Sequence, residues 1–198
     1  MTKIEKNLGF KTKAKKMSKT KSKKKEWEAY CETAFNSLVA NAKNWGKEGH
    51  YRPITRQFYM SVFDCAGVNH TGLISESALH DKSQRTNDHC LSPQFIGRMV
   101  MDNQEKFLTD YEAFKNLFWL ACSTITVTKK ENKLLSQLTE NNGYTYKVHV
   151  PTNLKYNHLG IKLLSKVGLK WDQSIPLKSN IINVPEELLE YETQFLTL

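Results

Sequence analysis

Ser123-Thr-Ile-Thr-Val-Thr-Lys-Lys-Glu-Asn-Lys-Leu-Leu135 decides the architecture, because its period changes in mid-stretch. From Ser123 to Thr128 β-branched residues dominate and alternate, which predicts a short strand. Thr128-Lys-Lys-Glu131 then reads as a capping box, with Leu134, Leu135 and Leu138 behind it at helical spacing. A helix therefore starts where the strand stops, and Asn132 falls in its first turn.

Outward from this junction the helical signals multiply. Thr109-Asp-Tyr-Glu112 is a second capping box, leading to an apolar face of Tyr111, Phe114, Leu117 and Phe118. Ser92-Pro93 supplies a helix start with proline at the first helical position, followed by Phe95, Ile96, Met99 and Val100. Earlier still, Trp27, Tyr30, Phe35, Leu38, Val39, Ala42 and Trp45 recur at three- and four-residue spacing until Gly46 and Gly49. Ile54 to Ala66 repeats the pattern and stops at Gly67. The stretch 72–92 is polar and irregular. On the C-terminal side Asn141-Asn-Gly143 breaks the helix, Tyr144 to Val150 alternates as a strand, and a basic amphipathic helix is expected near Asn157 to Val167. Pro185 opens a last, acidic helix. The expected class is α+β, mainly helical, with no internal repeat.

The net charge of +9 is concentrated at one end. Residues 1–25 hold 11 lysines and one glutamate, and the remainder carries 18 basic and 19 acidic groups. So basic a segment, with so few apolar residues to offset ordering entropy, is expected to be disordered when free. Lysine without arginine suits loose phosphate contact rather than base reading, and Lys23, Lys24 and Lys25 end the run. A localisation signal or a solubilising tail is the plainer alternative. No apolar run reaches the roughly 18 residues of a membrane span, and the N-terminus lacks the apolar stretch of a secretory signal. Cys31, Cys65, Cys90 and Cys122 stand singly, with no Cys-x-x-Cys pair, which fits reduced thiols in an intracellular, cytoplasmic protein.

Two pieces carry candidate chemistry: Asp88-His89, in Asn-Asp-His-Cys-Leu-Ser-Pro93, and Asn132. Phosphodiester hydrolysis needs an activated water, charge relief on the phosphate and help for the leaving oxygen. An imidazole of pKa about 6.5 can serve the first need. One hard divalent cation can serve the others, and it takes carboxylate and amide oxygens. Neighbouring strand residues point to opposite faces, so Asp88 and His89 share one site only if the strand bends or the site wraps its end.

An Asp-His dipeptide on a strand, then a strand running into a helix with an early Asn, resembles the HNH, or ββα-metal, nuclease superfamily. Phage homing endonucleases, which act within an infected host cell, are among its members. The resemblance spans about residues 85–138. It implies a DNA endonuclease using Mg²⁺ or Mn²⁺, with Asp88 and Asn132 as metal ligands and His89 as general base. It also implies a middle asparagine whose backbone holds the histidine; Asn103 and Asn116 are candidates. Two features depart from the family: a helical insertion separates the two strands, and the zinc-clamping cysteine pairs of many members are missing. On this reading residues 1–25 are a basic tail and 26–70 a helical scaffold. Residues 71–140 form a small ββα-metal-like core with inserted and flanking helices, and 141–198 a candidate DNA-reading part.

Around that core Arg98 is a candidate phosphate clamp or a salt-bridge partner. Lys129, Lys130 and Lys133 are DNA contacts or a solvated face. His80-Asp81 is an extra ligand pair or plain surface. His149, His158 and Lys162 belong to a basic reader or to a packing helix. The alternative function is a non-catalytic nucleic-acid-binding protein that grips phosphates with its lysine tail. A protein-interaction module whose tail only aids solubility is the third reading.

Overall fold

The periodicity that begins at Glu26 produces a helix over residues 26–41, α1, which a 3₁₀ turn at Ala42–Asn44 and Gly46, with φ of 87°, bring to an end. The structure is a computed structural model that describes residues 26–47, 49–138, 140–141, 146–148, 155–167, 170–172 and 186–193. The basic tail with Lys23, Lys24 and Lys25, and His149, lie outside the described residues.

Helix α2, Tyr51–Asp64, buries Ile54, Phe58 and Val62, one residue per turn. The chain continues through β1, Asn69–Ser75, α3, Glu76–His80, and β2, Arg85–His89. Three helices follow: α4, Pro93–Asp102, α5, Gln104–Phe107, and α6, Tyr111–Ala121. Strand β3, Ser123–Thr128, runs directly into α7, Lys129–Leu135. Beyond it come β4, Glu140–Asn141, β5, Tyr146–Val148, and the single turn α8, Lys155–His158. The described chain ends with β6, Leu163–Val167, β7, Lys170–Asp172, and α9, Glu186–Thr193. The class is α+β and mainly helical. No helix among the described residues is long and apolar enough to cross a membrane.

Helices α1, α2, α4, α6 and α9 share one apolar core, with Phe58 fully buried between Phe114 and Phe118, ring centroids 6.0 and 5.7 Å away. Burying one such ring contributes about 1.5–3 kcal/mol. The sheet has the order β2-β3-β1-β6-β7, with β1 parallel to β3 and the other neighbours antiparallel. Strand β3 lies inside it, and its residues are buried except Thr126. On one face Ile125, Val127 and Cys90 pack with Leu135 of α7 and Tyr156 of α8.

Four expectations from the sequence change. The stretch 72–92 is ordered, carrying most of β1, then α3 and β2; its polar residues occupy strands with a polar face. The helix expected at Thr109 is capped by Asp110, whose carboxylate accepts from the Glu112 and Ala113 N–H groups. Thr109 instead donates to the Glu105 carbonyl. The helix behind Thr128 ends at Leu135, well before Asn141. Finally, no helix spans 157–167. Gly160, at φ 64°, stops α8 after one turn, and Leu163 and Leu164 pair with Ser75 and Ile74 of β1. A Leu-Leu pair and a following Val suit a buried strand as well as a helix face, and the sheet edge decides between them.

Candidate functional site

Strand β2 pairs with β3 without a bulge, from Arg85 opposite Thr128 to His89 opposite Thr124. Regular pairing enforces alternation, so Asp88 and His89 face opposite sides of the sheet. Their surroundings agree. Asp88 turns to the α8 side, where its Oδ2 accepts from Lys155 Nζ at 2.7 Å and from the Tyr156 hydroxyl at 2.5 Å. Lys155 also donates to the His89 carbonyl, so its ammonium bridges the end of β2. Both side chains of the pair are only 13% exposed.

Burial and the Asp88 charge push the Tyr156 hydroxyl well above its ordinary pKa, leaving it a firm proton donor to the carboxylate. Burial likewise raises the neighbouring Cys90 thiol to about 12. That thiol stays protonated and unreactive at neutral pH.

His89 turns to the α2 side. Burial lowers its pKa against the opposing pull of Asp88, and a ring N–H donates to the Val62 carbonyl. The imidazole is therefore neutral at pH 7, which is the state a general base needs. However, its Nε2 is buried with no hydrogen-bond partner among the described residues. The backbone that holds the ring is that of Val62, not of Asn103 or Asn116. Asn103 donates to the Met99 carbonyl at the end of α4, and Asn116 is exposed on α6.

Asn132 is half-buried in α7, one turn ahead of Leu135, on the side of the sheet that Asp88 faces. No hydrogen bond among the described residues joins it to Asp88 or His89. The structure thus brings Asp88 and α7 to one layer, leaves Asn132 without a bond to the carboxylate and puts His89 in another layer.

The oxygens of Asp88 and Asn132 are of the kind a hard cation takes. At Asp88 Oδ2 they do not fit one, because the Lys155 ammonium and the Tyr156 hydroxyl already occupy that oxygen. A divalent ion bound there, at the roughly 2.1 Å typical of Mg²⁺–oxygen, would lie against a like charge. Among the described residues no group of three or more His, Cys, Asp and Glu is placed to hold a metal.

The surrounding candidates also find places. Arg98 Nε lies 3.4 Å from Asp102, whose carboxylate is shared by Trp45 and Tyr191, so Arg98 belongs to a cluster joining α4 to α9 and to the chain just after α1. Lys129, Lys130 and Lys133 are exposed on α7. Asp81 caps the 3₁₀ turn Lys82–Gln84 by accepting from Ser83, while His80 stays exposed beside it. His158 is exposed and Lys162 pairs with Glu76 at 3.2 Å.

Sequence reasoning missed Lys155 and Tyr156 as partners of Asp88. Their signal was faint, since they lie 67 and 68 residues away, just ahead of the basic helix expected near Asn157 to Val167. It also missed His70, whose ring joins the polar face of the sheet. Compared with known proteins, the chain matches no family model, no curated protein and no solved structure.

Proposed function

We propose that the protein binds nucleic acid by electrostatic contact with phosphates. The observation that carries this reading is the charge distribution: 11 lysines and one glutamate in residues 1–25, against 18 basic and 19 acidic groups in the rest. A polycation of this density releases condensed counterions when it meets a nucleic-acid backbone, which drives binding whatever the sequence. The exposed Lys129, Lys130 and Lys133 of α7 add a second basic patch on the folded body. An intracellular setting accompanies it, since Cys31, Cys65, Cys90 and Cys122 are all buried and outside any disulfide.

The experiment is fluorescence anisotropy with a labelled duplex between about 50 and 200 mM salt. Binding should weaken steeply, and replacing Lys23, Lys24 and Lys25 by Gln should shallow the logarithmic slope by up to about 0.9 for each phosphate the tail no longer neutralises. Absent binding, or binding indifferent to salt, overturns the reading.

A finer reading, a ββα-type DNA endonuclease, is favoured by one structural observation. Strands β2 and β3 are antiparallel, and a capped helix leaves β3 directly on the side that Asp88 faces. For Asp88 and Asn132 to act on a phosphodiester together, Lys155 must first leave the carboxylate. Supercoiled plasmid incubated with Mg²⁺ or Mn²⁺ separates the readings. Nicking that disappears in both Asp88→Asn and His89→Ala supports the nuclease. Binding without nicking by wild type, or nicking that survives both substitutions, removes it.

A further inference from the structure

Opposite the α8 side, the sheet presents a polar face built rung by rung from β2 and β3. Arg85 is paired with Thr128, Asn87 with Thr126, and His89 with Thr124. By alternation Arg85, Asn87, His89, Thr126 and Thr124 share that face, while the Thr128 hydroxyl turns to cap α7. A cavity of about 450 Å³ opens beside Arg85, Asn87 and Thr126, with His70 and the apolar Leu73 and Ile74 also in its wall. No carboxylate is among its lining residues.

The donors there are pre-aimed. The Gly72 N–H donates to His70 Nδ1 at 2.9 Å, so Nδ1 is the acceptor nitrogen and Nε2 carries the proton. Nε2 lies 2.8 Å from Thr126 Oγ1 and therefore donates to it. With its oxygen engaged as acceptor, the Thr126 hydroxyl directs its own proton elsewhere. Gly72 makes this possible: at φ 83° it lets β1 bulge between His70 and Ile74 and turn its amide back to the ring. Arg85 is fixed by Nε and Nη2 bonds to the Ala78 and Leu79 carbonyls at the end of α3, 2.7 and 3.2 Å long. Arg85 is one of the cavity's lining residues and brings its positive charge to the wall. Asn87 is exposed and adds an amide.

One rung further in, Thr124 Oγ1 and His89 Nε2 are both buried without a partner among the described residues, and Thr124 is 0% exposed.

We propose that this cavity is an oxyanion site that takes a phosphate group, with Arg85 supplying charge and Asn87 and Thr126 supplying hydrogen bonds. The site is separate from Asp88 and does not depend on the lysine tail. Its phosphate has two chemical sources, a free phosphomonoester or a diester in a nucleic-acid backbone.

The test follows the imidazole ¹⁵N signals of His70 in the full chain during titration with inorganic phosphate, thymidine 5′-monophosphate, or a thymidine dinucleotide whose one phosphate is a diester. A saturable shift with any of them is expected. The response to the monophosphate alone marks a monoester site, and response to the dinucleotide marks the backbone. Asn87→Asp, an exposed change that puts a like charge beside the anion, should weaken binding by at least about tenfold. Thr126→Val, near-isosteric, should weaken it by about three- to tenfold. No saturable shift with any of the three probes overturns the proposal, as does binding that is equally tight in Asn87→Asp and Thr126→Val.

Discussion

The Lys155 ammonium lies 2.7 Å from the Asp88 carboxylate across 67 residues of sequence, and this contact fastens α8 to the end of β2. Both groups are nearly withdrawn from water, so Asp88 is stabilised chiefly by Lys155 and the Tyr156 hydroxyl, and Lys155 by Asp88 and the His89 carbonyl. Removing one partner strands a buried charge. Lys155→Met is therefore expected to lower unfolding stability by about 3–5 kcal/mol, while the double variant Lys155→Met/Asp88→Asn recovers much of the loss. Urea unfolding of the four proteins in the cycle measures this. A loss below about 1 kcal/mol in Lys155→Met would mean that the pair is solvated and holds nothing together.

His89 makes stability depend on pH in a known direction. Burial lowers its folded pKa below the unfolded value of about 6.5. As pH falls through about 6.5 the unfolded chain takes up a proton that the folded chain refuses, so stability declines. The decline continues until the folded pKa is reached; above about pH 7 the contribution is complete. His70, also lowered by burial, acts with the same sign. The thermal midpoint should fall between pH 7.5 and 5, and His89→Gln should flatten that slope. An unchanged slope in the variant would show that His89 protonates freely in the fold.

Much of the helical layer was legible because it obeys local rules. Ile54, Phe58 and Val62 lie on one face by spacing alone, and Pro93 and the Thr128–Glu131 box set helix starts that depend on neighbours three residues away. The sheet was legible only at β3. Strands β1 and β2 are short, polar and incomplete as apolar patterns; they exist because β3 lies between them and accepts their backbone groups. Of the candidate site, sequence could name Asp88, His89 and Asn132 as chemically apt, and it could state that alternation opposes a shared site. It could not supply Lys155, because a pairing over 67 residues is set by the path of the chain after α7 and leaves no periodic mark. His70 was hidden for a similar reason: its role depends on a bulge at Gly72 that only the register with β3 defines.

Glu131 does more than cap its own helix. Its Oε2 accepts from the Thr128 N–H at 2.7 Å, the Thr128 hydroxyl at 2.9 Å and the Ser75 hydroxyl at 2.7 Å. Burial works to raise its pKa, and the hydrogen bonds from Thr128, Ser75 and Ser77 outweigh it, so the carboxyl sits below its ordinary value. Loss of an ordinary cap costs about 1 kcal/mol. Glu131→Ala removes the anchor of β1 as well and leaves the Ser75 hydroxyl, on a fully buried residue, short of an acceptor. Its expected cost is about 2–3 kcal/mol by chemical unfolding at pH 7. A depressed carboxylate stabilises above its unfolded pKa, so the difference from wild type should shrink as pH falls below about 4.5. A difference that persists undiminished at pH 3 would assign the effect to packing instead.

Gly97 of α4 lies directly against Phe58 of α2. A Cβ there would stand 3.1 Å from Phe58 Cβ and 3.3 Å from its Cγ, tighter than ordinary van der Waals contact. Two effects oppose each other in Gly97→Ala. Alanine favours a helix interior by up to about 1 kcal/mol over glycine. Against that, overpacking a filled core costs about 1–3 kcal/mol unless the neighbour yields. Phe58 is fully buried and wedged against Phe114 and Phe118, so its ring has nowhere to move without shifting α6. The clash should win, giving a net loss of roughly 1–2 kcal/mol and a lower thermal midpoint. Gly97→Ser should cost more, since it adds a buried hydroxyl to the same contact. A Gly97→Ala protein as stable as wild type would mean that the two helices part easily, and the close packing of Phe58 would not be what sets their separation.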